Sequence, residues 1–350
     1  MNATTISSSD LSGLAADLLA ARVRVAGPAR ASDGTVEYRH AGAPAELVLD
    51  SGVPRRSLKE FFLPPTEPLF AWRTGAGGRV ELLEAPLPAD PAVVIGARPC
   101  DAAGIEALDK VMGWDYRDEP WFARREATTI VSLACAGFDR SCMCTSVGLA
   151  PDTTKGSDLL LVPIGGGAFR AEVVTAKGAR LVAAYPARFR PASGEAEAEA
   201  FRKAAREKVA ASAPPAADPL RPWLDAHFDH PLWREASLRC HGCGACAAVC
   251  PTCHCFDIVD EPETVGTGVR RRNWDTCQTP RFTIHASGHN PKNDQPARIR
   301  QRVLHKIVIY PKKFGEMLCT GCGRCSRACP GGMDLPEVLA RIAALAGGAQ

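Results

Sequence analysis

CHGCGACAAVCP (residues 240–251) and CTGCGRCSRACP (residues 319–330) share every cysteine, two glycines and the closing proline. Each has the spacing C-x2-C-x2-C-x3-C-P. Three thiolates this close together wrap three irons of one four-iron cubane, and the turn carries the fourth cysteine to another cluster. Gly242, Gly244, Gly321 and Gly323 leave room for backbone N–H groups to approach the cluster sulfides. The spacing therefore assigns one cluster to Cys240, Cys243, Cys246 and Cys329. A second falls to Cys319, Cys322, Cys325 and Cys250. Structural zinc is the competing reading, but zinc needs only four ligands, and here the whole pattern occurs twice.

The rest of the chain is organised around this pair. Of 350 residues, 15 are cysteines. None lies in residues 1–99, four are at Cys100, Cys135, Cys142 and Cys144, and eleven lie between Cys240 and Cys329. The odd count and tight clustering speak for reduced, metal-ligating thiols rather than a disulfide framework. The N-terminus, MNATTISSSD, has no basic stretch followed by an apolar one, so no export signal is expected. No apolar run reaches the ~18–20 residues of a membrane span. The net charge of +3 does not suggest a dedicated nucleic-acid binder.

The fold class expected is α+β: an N-terminal α/β-type body over residues 1–215, then a helical-ferredoxin-like dicluster domain over 216–350 with a long insertion at 251–318. The four prolines of SAPPAADPLRP (212–222) suggest a linker. In the body, residues 10–22 place Leu11, Leu14, Leu18 and Leu19 on one helical face, with Asp10 as N-cap. Residues 101–112 and 195–211 also read as helices. The short apolar runs at 45–50, 92–97, 128–134 and 159–164 read as strands. In the C-terminal region, helices are expected to start at Ala247 and at Ser326. DLPEVLARIAALA (334–346) sets Leu335, Val338, Leu339, Ile342 and Leu345 on one side of a helix.

Cys100 and Cys135 follow strand-like runs, and Cys142 and Cys144 sit in a loop. Cysteines at strand ends can converge on one sheet edge, so these four are a candidate third metal site. Cys253, Cys255 and Cys277 lack a fourth partner and are read as a shell of packed thiols beside the clusters. Residues 265–315 hold eleven Lys and Arg against Asp275 and Asp294. Cations there would offset the anionic clusters or dock a partner; a nucleic-acid patch is the weaker reading. No dinucleotide fingerprint, P-loop or HExxH motif occurs. Neither flavin nor nucleotide is therefore expected on this chain, and no catalytic residue stands out.

RPCDAAGIEALD (98–109), the C-x-C-TS-x-G end at 142–148, PTCHCFD (251–257), RRRNWDTC (270–277) and ASGHNP (286–291) together resemble the four-iron dicluster subunit family. That family includes sulfhydrogenase beta subunits and the corresponding iron–sulfur subunits of anaerobic sulfite reductase. The likeness covers roughly residues 90–150 and 220–335. It implies a cytoplasmic electron-transfer subunit, working beside a flavin- and NAD(P)-binding subunit, plus a nickel–iron hydrogenase or sulfite reductase subunit, without membrane or nucleic acid. Two other functions compete: a redox enzyme reducing a substrate directly at an N-terminal cluster, and a zinc-bearing scaffold or nucleic-acid-binding protein.

Overall fold

A computed structural model describes residues 3–137 and 139–348. The N-terminal body is built on an eight-stranded sheet and supplies two strands of a smaller four-stranded one. The chain opens with β1 (Ala3–Ser7), α1 (Ser8–Ala20), β2 (Arg24–Arg30) and β3 (Val36–Ala41), then leaves the large sheet for β4 (Thr66–Thr74) and β5 (Val80–Glu84). It returns through β6 (Ala92–Ala97), α2 (Pro99–Met112), α3 (Glu119–Ala127), β7 (Thr128–Leu133), β8 (Leu159–Gly165) and β9 (Ala168–Val173). The body closes with α4 (Ala176–Ala184), β10 (Arg190–Pro191) and α5 (Glu195–Ser212). The large sheet runs β10-β1-β9-β8-β7-β6-β2-β3. Its centre, β2, β6, β7 and β8, is parallel.

A parallel centre needs cover on both faces, so its strands are apolar without alternation. AVVIGA is buried throughout. Val93 and Ile95 meet Leu11, Leu14 and Leu18 of α1 on one face. Val94 and Ala97 meet Ile105 and Leu108 of α2 and Trp121 of α3 on the other.

Two local expectations are corrected. The α1 helix is capped by Ser7, not Asp10: the Ser7 hydroxyl accepts from the Asp10 N–H at 3.0 Å and donates to the Asp10 carboxylate at 2.8 Å. The hydroxyl satisfies one free N–H of the first turn, and the Asp10 carboxylate holds the hydroxyl in place. Residues 45–50 form no strand. Pro44, lacking an N–H, starts a 3-10 turn through Glu46, and Leu47 makes a single bridge to Ala29. The next carbonyls, of Leu49, Ser51 and Gly52, accept from the buried Arg98 guanidinium and cannot serve a ladder.

The C-terminal region is mainly helical: α6 (Arg221–Ala226), α7 (Leu232–Ser237), α8 (Ala245–Ala248), α9 (Gln295–Leu304), α10 (Tyr310–Phe314), α11 (Arg324–Arg327) and α12 (Leu335–Gly347). A π turn, His305–Ile309, joins α9 to α10. The helices expected to start at Ala247 and Ser326 instead begin two residues earlier and stay inside the motifs. Gly244 and Gly323, both left-handed, are their N-caps. Leu335, Val338, Leu339 and Ile342 of α12 are buried as expected, whereas Leu345, near the end of the helix on the same side, is 39% exposed.

The insertion contributes an antiparallel hairpin, β11 (Phe256–Thr264) and β12 (Thr267–Trp274). β12 also pairs with β4, so one four-stranded sheet joins the insertion to the N-terminal body. The proline-rich segment is docked: Ala217 is fully buried, and its N–H donates to Ser146 O at 2.7 Å. Met143 and Val147, beside the N-terminal cysteines, are part of the C-terminal helical core with Leu224, Trp233, Ile307 and Leu339.

Candidate metal centres

The parallel sheet sets the N-terminal thiols. Cys100 is the second residue of α2, just past β6, and Cys135 lies two residues past the end of β7. The chain then loops out and returns through Cys142 and Cys144. A 3-10 turn (Cys144–Val147) ends at left-handed Gly148, and Cys135 N–H holds the return by donating to Pro151 O at 2.9 Å. All four thiols line one cavity, whose far wall is Gly321 and Cys322 of the second motif.

The contact between these two segments is backbone on backbone. Met143 N–H donates to Gly321 O at 2.8 Å. Gly321 has φ +64°, and a Cβ there would fall 2.4 Å from Cys144 N, so glycine alone fits. Cys322 lines this cavity and also a neighbouring one, where it meets Cys246, Cys250, Cys319 and Cys325. Thus Cys250 of the first motif faces the three thiols that open the second.

Cys240 and Cys329 both pack at the edge of the helical core. Cys240 Sγ accepts from Gln295 Nε2 at 2.9 Å, and Cys329 Sγ accepts from Met333 N–H at 3.2 Å. The turn after Cys329 is pressed onto the start of the first motif: a Cβ on Gly331 would lie 2.0 Å from Arg239 O. Cys243 is exposed.

Burial sets the protonation of these groups. It pushes the Cys144 thiol up to about 12, helped by Cys135 and Cys142. It also pushes Cys319 up to about 12 and Cys246 up to about 11. Cys100 and Cys135 are raised for the same reason. Without metal, such groups are neutral thiols at pH 7, and metal binding must release their protons. Cys250 is the exception. A hydrogen bond from Cys253 and the charge of Lys306 hold it well below the ordinary thiol range.

Buried cations surround the thiols. Lys306 Nζ lies 3.4 Å from Cys250 Sγ and 3.0 Å from Thr252 Oγ1. Arg302, one turn earlier, is also buried and lines the same cavity as Cys246, Cys250 and Cys325. Lys59 donates to Cys253 O at 2.9 Å and lies over the Trp274 ring. Arg324, in the second motif, bonds Asp101, in the RPCD segment, at 2.6 Å; the two side chains are 1% and 0% exposed. Tyr38 O–H also donates to Asp101, at 2.8 Å. Arg324 Nε donates to Pro54 O, while its buried NH1 has no partner among the described residues. A charged donor left free beside Cys100 and Cys322 is what a buried anionic group there would satisfy.

Much of the surface charge in 265–315 is locally paired, for example Arg270 with Asp260, Arg271 with Glu261 and Lys312 with Asp225. The sequence reading singled out the basic stretch that holds Arg302 and Lys306. It missed Lys59, Asp101 and Arg324, whose partners are distant in the chain.

Among the described residues, no three Cys, His, Asp or Glu side chains come close enough to hold a single metal ion. A zinc ion needs its sulfurs at ~2.3 Å from one atom. Thiols ringing a cavity, with donors and cations behind them, suit a four-iron cubane instead. Cys253 lies against Cys250, while Cys255 and Cys277 pair with each other.

Residues 239–333 match the 4Fe-4S dicluster domain. Over 91% of its length it is 28% identical to sulfhydrogenase 2 subunit beta of Pyrococcus furiosus, spanning 92% of that protein. This match takes in the N-terminal body, well beyond the dicluster domain. No solved structure matches. Among the described residues, no helix is long and apolar enough to cross a membrane.

Proposed function

We propose that this chain is the electron-transfer subunit of a cytoplasmic hydrogenase- or sulfite-reductase-type complex, holding three 4Fe-4S clusters. Cys240, Cys243, Cys246 and Cys329 would hold the first, Cys319, Cys322, Cys325 and Cys250 the second, and Cys100, Cys135, Cys142 and Cys144 the third. When bound, such clusters supply one-electron redox chemistry. The chain's own residues bury the thiols, exclude water and set the surrounding charge through Arg302, Lys306 and Arg324.

The observation that carries the reading is the shared wall. Cys322 lines both the N-terminal cavity and the cavity of the second motif, and Gly321 brings the two backbones into contact. Centres in these cavities would be immediate neighbours, as a relay linking a flavin- and NAD(P)-binding subunit to a catalytic subunit requires. The likeness to a sulfhydrogenase beta subunit favours a hydrogenase partner.

The test is the purified chain, loaded with iron and alone. It should accept electrons from dithionite and pass them to a flavoprotein, yet turn over neither NADH, hydrogen nor sulfite. Turnover of any of these by the single chain would overturn the relay reading.

One observation favours the rival in which substrate is reduced at the N-terminal centre. A cavity of about 730 Å³ lies at the ends of β6 and β7, lined by Ser8, Ser12, Asp50 and Arg98, and reaches Cys135. Arg98 is already engaged by the carbonyls of Leu49, Ser51 and Gly52, which leaves the cavity without a free buried cation from that residue. Sulfite turnover by the single chain would select this rival.

A further inference from the structure

Cys255 and Cys277 belong to none of the three thiol groups above, yet they meet. Cys255 is the residue before β11 and Cys277 lies three beyond β12, so the hairpin brings its two open ends together. Asp275 N–H donates to Cys255 O at 3.0 Å. The Cys255 and Cys277 side chains are close enough to shift each other's ionisation. Gln278 Nε2 lies 3.5 Å from the same sulfur.

The turn that carries Cys277 is braced on the first ferredoxin motif. A Cβ on Gly244 would lie 2.7 Å from the Thr276 side chain. The buried Gln278 donates to Arg298 O at 3.0 Å, Arg298 donates to Gln295 Oε1 at 2.8 Å, and Gln295 reaches Cys240. The pair is thus fixed in place. Both residues are partly exposed.

The two sulfurs are chemically unequal. Cys277 is pushed down to about 6, chiefly by the Cys255 side chain and further by Gln278, Lys306 and Arg302, against the effect of burial. Cys255 is raised by the Cys277 side chain and by burial. A thiolate is the nucleophile in disulfide exchange, and a neighbouring thiol can resolve the mixed disulfide it forms.

We propose that Cys277 and Cys255 form a thiol–disulfide exchange site whose substrate is a disulfide, with Cys277 attacking and Cys255 resolving. Cys277 sulfur attacks one sulfur of R–S–S–R, that S–S bond breaks, and RS⁻ leaves as Cys277–S–S–R forms. Cys255 gives up its proton and attacks Cys277 sulfur, expelling the second RS⁻. Each RS⁻ takes up one proton. Two cysteine thiols are oxidised to one disulfide, and R–S–S–R is reduced to two RSH. The site goes beyond the electron-transfer reading and does not depend on it.

The experiment uses the anaerobically purified full chain with its iron, incubated with glutathione disulfide, acid-quenched, alkylated and mapped by mass spectrometry. The expected product is a linkage between the Cys255 and Cys277 peptides, with iron content unchanged and about two glutathione thiols released per chain. Cys255→Ser should accumulate glutathione on Cys277, and Cys277→Ser should leave Cys255 unmodified. Three results would each overturn the proposal. One is that both cysteines alkylate as free thiols while iron is retained. Another is that glutathione is found only on other cysteines. The third is that Cys277→Ser loses about four irons, which would make Cys277 a cluster ligand. The wild-type map decides even if a variant fails to fold. A chain that holds no iron but forms the linkage would count against the electron-transfer reading alone.

Discussion

Asp101→Asn should be among the costliest single substitutions outside the cysteines. The change keeps the size but removes the charge facing Arg324 and replaces one of the two acceptor oxygens, which take bonds from Arg324, Tyr38 and Leu58 N–H, with an amide donor. That pair is 2.6 Å long and almost wholly buried, with Arg324 NH1 already unpartnered among the described residues. Removing one partner of a buried pair leaves an uncompensated charge and costs about 3–5 kcal/mol. An exposed pair such as Arg270–Asp260, 42% and 51% exposed, is screened by water and contributes little. The assay is urea denaturation under anaerobic conditions, with Asp260→Asn as the control. The double variant Asp101→Asn/Arg324→Met should recover part of the loss, because residues in contact do not add. A cost below about 1 kcal/mol for Asp101→Asn, or strict additivity in the double variant, would refute the buried-pair reasoning.

Three further outcomes are expected. Cys250→Ala should abolish the EPR signal of the cluster at Cys319, Cys322 and Cys325 and spare the one at Cys240, Cys243 and Cys246; the reverse pattern would disprove the crossed ligation. Gly321→Ala should cost more than the about 1–3 kcal/mol of left-handed backbone strain and should lower the iron content. Gly288→Ala, at φ +82° with open space around it, should show strain alone; equal effects at the two sites would refute the packing argument. His305 gives a pH test. Burial, with His254, Lys306 and Lys292, pushes it down to about 4. The unfolded chain therefore binds the proton first, so its contribution to stability is complete above about 6.5 and is lost as pH falls toward about 4. His305→Gln should flatten the denaturation midpoint over that range, and an unchanged slope would contradict the assignment.

The sequence was most informative where short-range rules apply. The periodicity of α1, α2, α5 and α12, the uniformly apolar β6, the β-branched run of β7, and the doubled cysteine spacing are all local signals. What it hid was long-range. FDIVDEPET and TGVRRRNW carry too many charges to read as a buried pair, and β12 takes its second partner, β4, from about two hundred residues away. The run at 45–50 has strand composition, yet its carbonyls are committed to Arg98. The pairing of Asp101 with Arg324 and the contact of Gly321 with Cys144 depend on two segments meeting that no spacing rule connects. The four N-terminal cysteines were legible as a group, and the sheet explains why: β6 and β7 are parallel neighbours, so the residues that follow them emerge at the same edge.

The most direct test of the three-cluster account is the iron content of the anaerobically purified chain, measured beside Cys135→Ser and supported by EPR of the reduced protein. The account gives about twelve irons per wild-type chain and about eight in the variant, with the loss confined to one EPR component. About eight irons in both, with identical spectra, would contradict it and leave Cys100, Cys135, Cys142 and Cys144 as packed thiols.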